Sequence, residues 1–187
     1  RTLRDFKVRL SARQSGKFQK VRVRYTYLPV NAGILIGYTL HRGQNIQLEF
    51  ELGEQVYTSG GKRIDFEREE QNAEGAFAES VPLCVYIQAK QDNTGKATFE
   101  AYLQEKGLAG GQRLYLINVD HYDESFDLGA SAGQLVNEIM QCVGRLEQKG
   151  YQKVQVHLFY NGFWGLALFL GHHLPMIYSI QLYDYDG

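Results

Sequence analysis

The 187 residues are 44% hydrophobic and carry 20 basic against 21 acidic side chains, a net charge of −1. This composition fits one domain of ordinary size, or two small lobes sharing a core, and excludes a disordered chain and one drawn as a whole to nucleic acid or an anionic membrane. The average conceals an asymmetry, because residues 1–48 hold ten Lys/Arg and Asp5 as their one acid, while the rest hold ten bases and twenty acids.

Val21 to Leu28 alternates apolar and polar side chains, which predicts a strand with one wet face. Pro29 and Asn31 punctuate it, and Ala32 to Arg42 reads as a short apolar helix in which Gly33 and Gly37 permit close packing. Ile46 to Leu52 is the next strand. Gln55 to Thr58 and Arg63 to Glu67 alternate around Ser59-Gly60-Gly61, which predicts a hairpin, and the acidic stretch Glu69 to Ser80 reads as a connector. Val81 to Ala89, Leu114 to Val119, Val154 to Tyr160 and Ser179 to Tyr185 then read as strands with helices between them, the βαβ pattern. Those helices are Gly95 to Lys106, Ala132 to Lys149 with Gly150 as its C-terminal cap, and Gly162 to Leu174.

An internal echo links the two ends of the chain. Lys20-Val21-Arg22-Val23 through Tyr27 resembles Lys153-Val154-Gln155-Val156 through Tyr160, and each is followed by a glycine-containing apolar helix and then by Ile-Gln-Leu, at Ile46 and at Ile180. This reads either as a duplicated Rossmann-like lobe or as the ordinary likeness of two βαβ units.

Val154 to Tyr183 lacks Asp, Glu, Lys and Arg, yet its purely apolar part, Gly162 to Gly171, is far shorter than the roughly 20 residues needed to span a bilayer, so a buried helix is expected and no membrane partner. Cys84 and Cys142 have no CxxC spacing and read as buried hydrophobes in a reducing, cytoplasmic setting. The sequence opens on Arg1 with no apolar signal segment, as a piece cut from a longer chain would.

Open α/β sheets bind ligands beyond the carboxyl ends of their strands. That rule selects Asn161, Phe163 and Trp164 after the strand ending at Tyr160, Asn31 after the strand ending at Tyr27, and Lys90 with nearby Lys96 after a third strand. Trp164 reads equally as a platform on which a base stacks and as core; Phe163 fits core packing better. The N-terminal bases Arg4, Lys7, Arg9, Arg13, Lys17, Arg22 and Arg24 lack interleaved aromatics and read as a solvated face or as contacts to an upstream domain. His172 and His173 are adjacent and diverge by about 100° on a helix, unlike zinc ligands at i, i+4, so no metal site is expected. Asp120-His121 resembles half of an acid/base pair, but no GxSxG elbow, P-loop or GxGxxG accompanies it.

Val154-Gln155-Val156-His157-Leu158-Phe159, the helix with Leu166-Ala167-Leu168 and Leu170-Gly171, and Ile180-Gln181-Leu182-Tyr183-Asp184-Tyr185 resemble the SAVED domain, the sensor module of bacterial antiphage (CBASS and CRISPR) effectors. The resemblance is specific over Lys153 to Asp186. It implies an α/β fold of two fused Rossmann-like (CARF-like) lobes with largely parallel central sheets, the first over residues 1–80 including the hairpin and the second over 81–187. It implies a cyclic di- or oligonucleotide second messenger as ligand, no cofactor, self-association on binding, and a fused N-terminal effector such as an HNH nuclease, a TIR domain or a protease. Tyr27, Tyr160 and Trp164 would then contact bases, with Phe163 in the same turn, and Asn31, Asn161, Lys90 and Lys96 would supply polar or phosphate contacts. As the family is known, small residues or proline are common in the turn that here holds Phe163 and Trp164. The sensor reading has no catalytic residue. The alternatives are an enzyme that cleaves the cyclic nucleotide with Asp120, His121 or a tyrosine assisting, and a pure assembly domain.

Overall fold

A computed structural model describes residues 9–15, 18–24, 29–40, 46–57, 62–74, 79–91, 94–119, 126–175 and 179–183. The expectations for Tyr27, for Asp120 and His121, for Ser59-Gly60-Gly61 and for Arg4, Lys7 and Lys17 fall outside these residues. The described chain is a mixed α/β fold of two sheets and four helices.

The first sheet contains β1 (Arg9–Ser15), β2 (Phe18–Arg24), β3 (Ile46–Leu52) and β4 (Gln55–Tyr57), in that spatial order. Helix α1 (Val30–Thr39) crosses from β2 to β3, which lie parallel with Val21 beside Leu48 and Val23 beside Phe50. The alternation seen in the sequence sends Val21 and Val23 into the core while Arg22 and Arg24 stay exposed.

The second sheet has the order β5 (Phe66–Gln71), β7 (Gln112–Asn118), β6 (Ser80–Gln88), β8 (Lys153–Asn161) and β9 (Ile180–Tyr183). All neighbours except β5 and β7 run parallel, joined by α2 (Gly95–Glu105), α3 (Leu128–Gln148) and α4 (Trp164–His173). Central β6 is apolar on both faces because both are covered. Leu135, Ile139, Cys142, Val143 and Leu146 of α3 pack on one side, and Phe99 and Leu103 of α2 pack over Cys84, Tyr86 and Tyr115 on the other. Asp127 caps α3 by accepting from the Ala130 N–H at 2.8 Å, and Gly150, at φ +98°, ends it. Burial raises both thiols, Cys84 and Cys142, to about 12.

The predicted Gln55–Glu67 hairpin does not form. Gln55–Tyr57 folds back on β3 through a turn at Gly53, whose φ of +62° suits glycine, so Leu52 lies opposite Gln55. The following chain runs along the start of α3, where the Lys62 carbonyl accepts from Asp127 N–H at 2.8 Å and Ser131 Oγ accepts from Ile64 N–H at 2.9 Å. Phe66–Gln71 then joins the other sheet, antiparallel to β7, so the first three residues of the expected Glu69–Ser80 connector are strand. There its side chains meet cations of the second sheet's elements: Glu69 pairs with Lys96, Glu70 with Arg145, and Gln71 accepts from Arg113.

Helices α1 and α4 meet backbone to backbone. A Cβ at Gly37 would collide with the Leu168 carbonyl oxygen, and a Cβ at Gly171 would collide with the Ile34 carbonyl oxygen. Counting 134 residues on from Ile34, Gly37 and Ile46 gives Leu168, Gly171 and Ile180, so the contact is reciprocal between the two halves of the echo. Each half is a strand, a helix and a parallel neighbouring strand.

Candidate functional site

The carboxyl ends of β6, β7 and β8 open together. The Asn161 carbonyl accepts from the N–H groups of Ala89 at 2.7 Å and Lys90 at 3.4 Å, and Asn118 Nδ2 donates to the Ala89 carbonyl at 3.0 Å. These bonds fix Gln88-Ala89-Lys90 against Asn161 at the rim. At Gly95, which starts α2, a Cβ would collide with the Tyr86 hydroxyl and stand 3.1 Å from Asn161 Nδ2. Asn118 and Gly95 therefore belong to this rim, and neither was selected from the sequence as a contact. The usable signal at Gly95 was a glycine at a helix start, where backbone must approach a neighbour closely.

Gly33 lies against Trp164 and Ala167, and Gly37 against Leu168 and His172, so α1 and α4 begin at the same end of their seam. Asn31, half-buried in the first turn of α1, and the Asn161–Phe163 turn therefore share that end. The dipoles of two helix N-termini give it a positive character.

The other selected residues are placed differently. Tyr160 is buried, and its hydroxyl donates to the Phe163 carbonyl at 2.9 Å, clamping the turn from β8 to α4. Gly162 lies beneath that ring, where a Cβ would be 2.6 Å from Cζ. Trp164 is 6% exposed, with its ring centroid 5.5 Å from that of Phe50, so its surroundings are those of core. Phe163 is half-buried at the helix N-cap. Lys96 lies 2.6 Å from Glu69 and 4.4 Å above the centre of the Tyr115 ring, and its hydrogen bond, with a second from Gln71, holds the Glu69 carboxyl below the usual range. Lys90 is exposed at the rim. The structure thus brings Asn31, Lys90, Asn161 and Phe163 toward one end and puts Tyr160, Trp164 and Lys96 to structural use.

On the α2 side of β8, His157 Nδ1 lies 2.7 Å from the Tyr183 hydroxyl, and burial holds the imidazole below its usual range. The folded state therefore favours neutral His157. As pH falls below about 6.5 the unfolded chain binds a proton that the folded chain resists, so stability is lost. Urea midpoints should fall between pH 7 and 5 with a contribution of at most about 1.4 kcal/mol per pH unit from this group. His157→Gln should flatten that slope; an unchanged slope removes His157 as its source. Among the described residues no group of three or more His, Cys, Asp or Glu is placed to hold a metal ion, and no helix is long and apolar enough to cross a membrane.

Polar loops at the carboxyl ends of parallel strands, beside two helix N-termini, are the arrangement of an α/β ligand-binding domain. The family model of the SMODS-associated and fused to various effectors sensor domain, SAVED, matches residues 3–187, and the chain belongs to that family. The fold resembles the Acinetobacter baumannii Cap4 SAVED/CARF-domain containing receptor with the cyclic trinucleotide 2'3'3'-cAAA, with a TM-score of 0.66 and 20% identity over 89% of this chain and 36% of that one. The same receptor with 3'3'3'-cAAA gives 0.62 and 20%, again over 89% and 36%. Moraxella osloensis Cap4 gives 0.59 and 18%, over 89% and 34%. The chain spans about a third of the length of these structures. No curated protein sequence matches it.

Proposed function

We propose that this chain is a non-catalytic sensor that binds a cyclic oligonucleotide second messenger in the bacterial cytoplasm. Binding activates a fused nuclease, TIR or protease effector by self-association in antiphage defence. The observation that carries this reading is the SAVED match over residues 3–187, joined to the likeness of fold with a receptor solved with cyclic trinucleotides.

The two sheets correspond in this reading to two fused CARF-like lobes, a view supported by the reciprocal glycine contact across the 134-residue offset. The lobe boundary then falls between Tyr57 and Phe66 rather than at residue 80, since β5 pairs in the second sheet. The ligand would sit at the end where α1 and α4 begin, with Asn31, Asn161, Phe163 and Lys90 as contacts. Tyr27 keeps its place as a sequence-based candidate.

Calorimetry with 2'3'3'- and 3'3'3'-cyclic triadenylate and with cyclic dinucleotides should give heat for at least one. Asn161→Asp sets a negative charge against phosphate and should weaken that binding about 10- to 100-fold, the scale of one charge-assisted hydrogen bond. Light scattering should show a mass increase, and the nucleotide should be recovered intact. Absence of heat with every ligand sinks the sensor reading, and linearised product forming in proportion to protein replaces it with the enzyme.

A further inference from the structure

Strands β6 and β7 run in register as far as Gln88 and Ile117, and β6 and β8 as far as Gln88 and Asn161. One residue further on, the chains part. Val119 N–H donates to the Asp65 carbonyl at 3.2 Å, so the end of β7 follows the chain that leads into β5. Ala89, wholly buried, stays tied to both neighbours. Its N–H donates to the Asn161 carbonyl at 2.7 Å on the β8 side, and its carbonyl accepts from Asn118 Nδ2 at 3.0 Å on the β7 side. A parallel ladder supplies such a carbonyl with a backbone donor; here the amide of a side chain takes that place. Asn118 is itself 6% exposed, so the bond is made away from water. A Cβ at Gly162 would stand 2.8 Å from Ala89 Cβ, so the turn into α4 rests on the same residue. Lys90 follows at once, exposed, with its own N–H 3.4 Å from the Asn161 carbonyl.

Resting on the sensor reading, we infer that Asn118 is a positioning residue of the ligand-binding end: it fixes the Ala89 carbonyl and, through it, the point from which Lys90 reaches a phosphate of the cyclic nucleotide. The Ala89 carbonyl and the Lys90 N–H belong to one planar peptide group and point to opposite sides of it. That plane is held at both ends, by Asn118 on the carbonyl and by Asn161 on the N–H. Lysine carries its charge on four flexible methylenes, so it serves a ligand best where its backbone is already fixed. Without the Asn118 amide the Ala89 carbonyl loses this donor and turns toward water, and the backbone of Lys90 turns with it.

The test joins amide hydrogen exchange in the ligand-free chain to calorimetry. In Asn118→Ala the amides of Ala89 and Lys90 should exchange at least about tenfold faster. Those of Leu83 and Leu114, buried in the same two strands, should keep the parent rate. Affinity for the cyclic triadenylate or cyclic dinucleotide that the parent chain binds should fall about tenfold. In a Lys90→Ala background the same substitution should cost less than about twofold, since a residue that acts through Lys90 has nothing left to position. Asn118→Ser, whose hydroxyl stops short of Ala89, should repeat these results and stands in where Asn118→Ala fails to fold. Exchange quickened alike at all four amides, or an affinity loss of the same size with and without Lys90, reduces Asn118 to a structural role and overturns the inference. A parent chain that binds none of these nucleotides overturns it together with the sensor reading.

Discussion

Gly37→Ala and Gly171→Ala should each lower the melting temperature by about 6–12 °C, the equivalent of about 3 kcal/mol of overpacking in a chain of this size. A methyl group at either position runs into a carbonyl oxygen of the facing helix, Leu168 for Gly37 and Ile34 for Gly171. Backbone cannot yield as the end of a flexible side chain does, so α1 and α4 must separate. That separation propagates to the end of the seam where Asn31 and the Asn161–Phe163 turn lie, and ligand affinity should fall along with stability. Gly144→Ala is the control, because a Cβ there meets nothing within 4 Å and the helix gains propensity, so stability should rise by up to about 1 kcal/mol. Melting curves that leave both seam variants at the parent temperature would remove the glycine contact as a cause of the packing.

Trp164→Ala should cost about 3–5 kcal/mol, or about 6–20 °C in melting temperature, because it empties a buried site between Phe50 and Gly33 of α1. The indole packs closely on Gly33, where a Cβ would stand 3.2 Å from Cε2 and 3.2 Å from the Trp164 carbonyl oxygen. Trp164→Phe keeps an aromatic in the cluster and should lose less. Thermal denaturation beside calorimetry separates the two meanings of this residue. A variant that melts with the parent yet no longer binds a cyclic nucleotide would return Trp164 to the role of base platform.

Much of the secondary structure was legible because it depends on local periodicity. Val21 to Arg24, Ile46 to Leu52 and the run from Val81 to Gln88 announce strands, and the stripe from Leu135 to Leu146 announces a helix that Gly150 ends. Family membership was legible over Lys153 to Asp186, and the family model extends it to residues 3–187. The end of the molecule at which these loops open also followed from chain order, because parallel strands joined by helices open their loops at one edge. Pairing did not follow. The alternation of Arg63 to Glu67 does not say which strand this segment joins, and in the fold Phe66–Gln71 lies beside β7, where Glu69, Glu70 and Gln71 meet Lys96, Arg145 and Arg113. The same distinction governs Lys96, which reads from sequence as a loop cation and finds Glu69 on an edge strand, and Trp164, which opens a helix whose partner, α1, lies more than a hundred residues earlier in the chain. A residue's period assigns it a face, but what lies against that face is decided by contacts distant in sequence, and those form only when both sheets and the seam between α1 and α4 are packed.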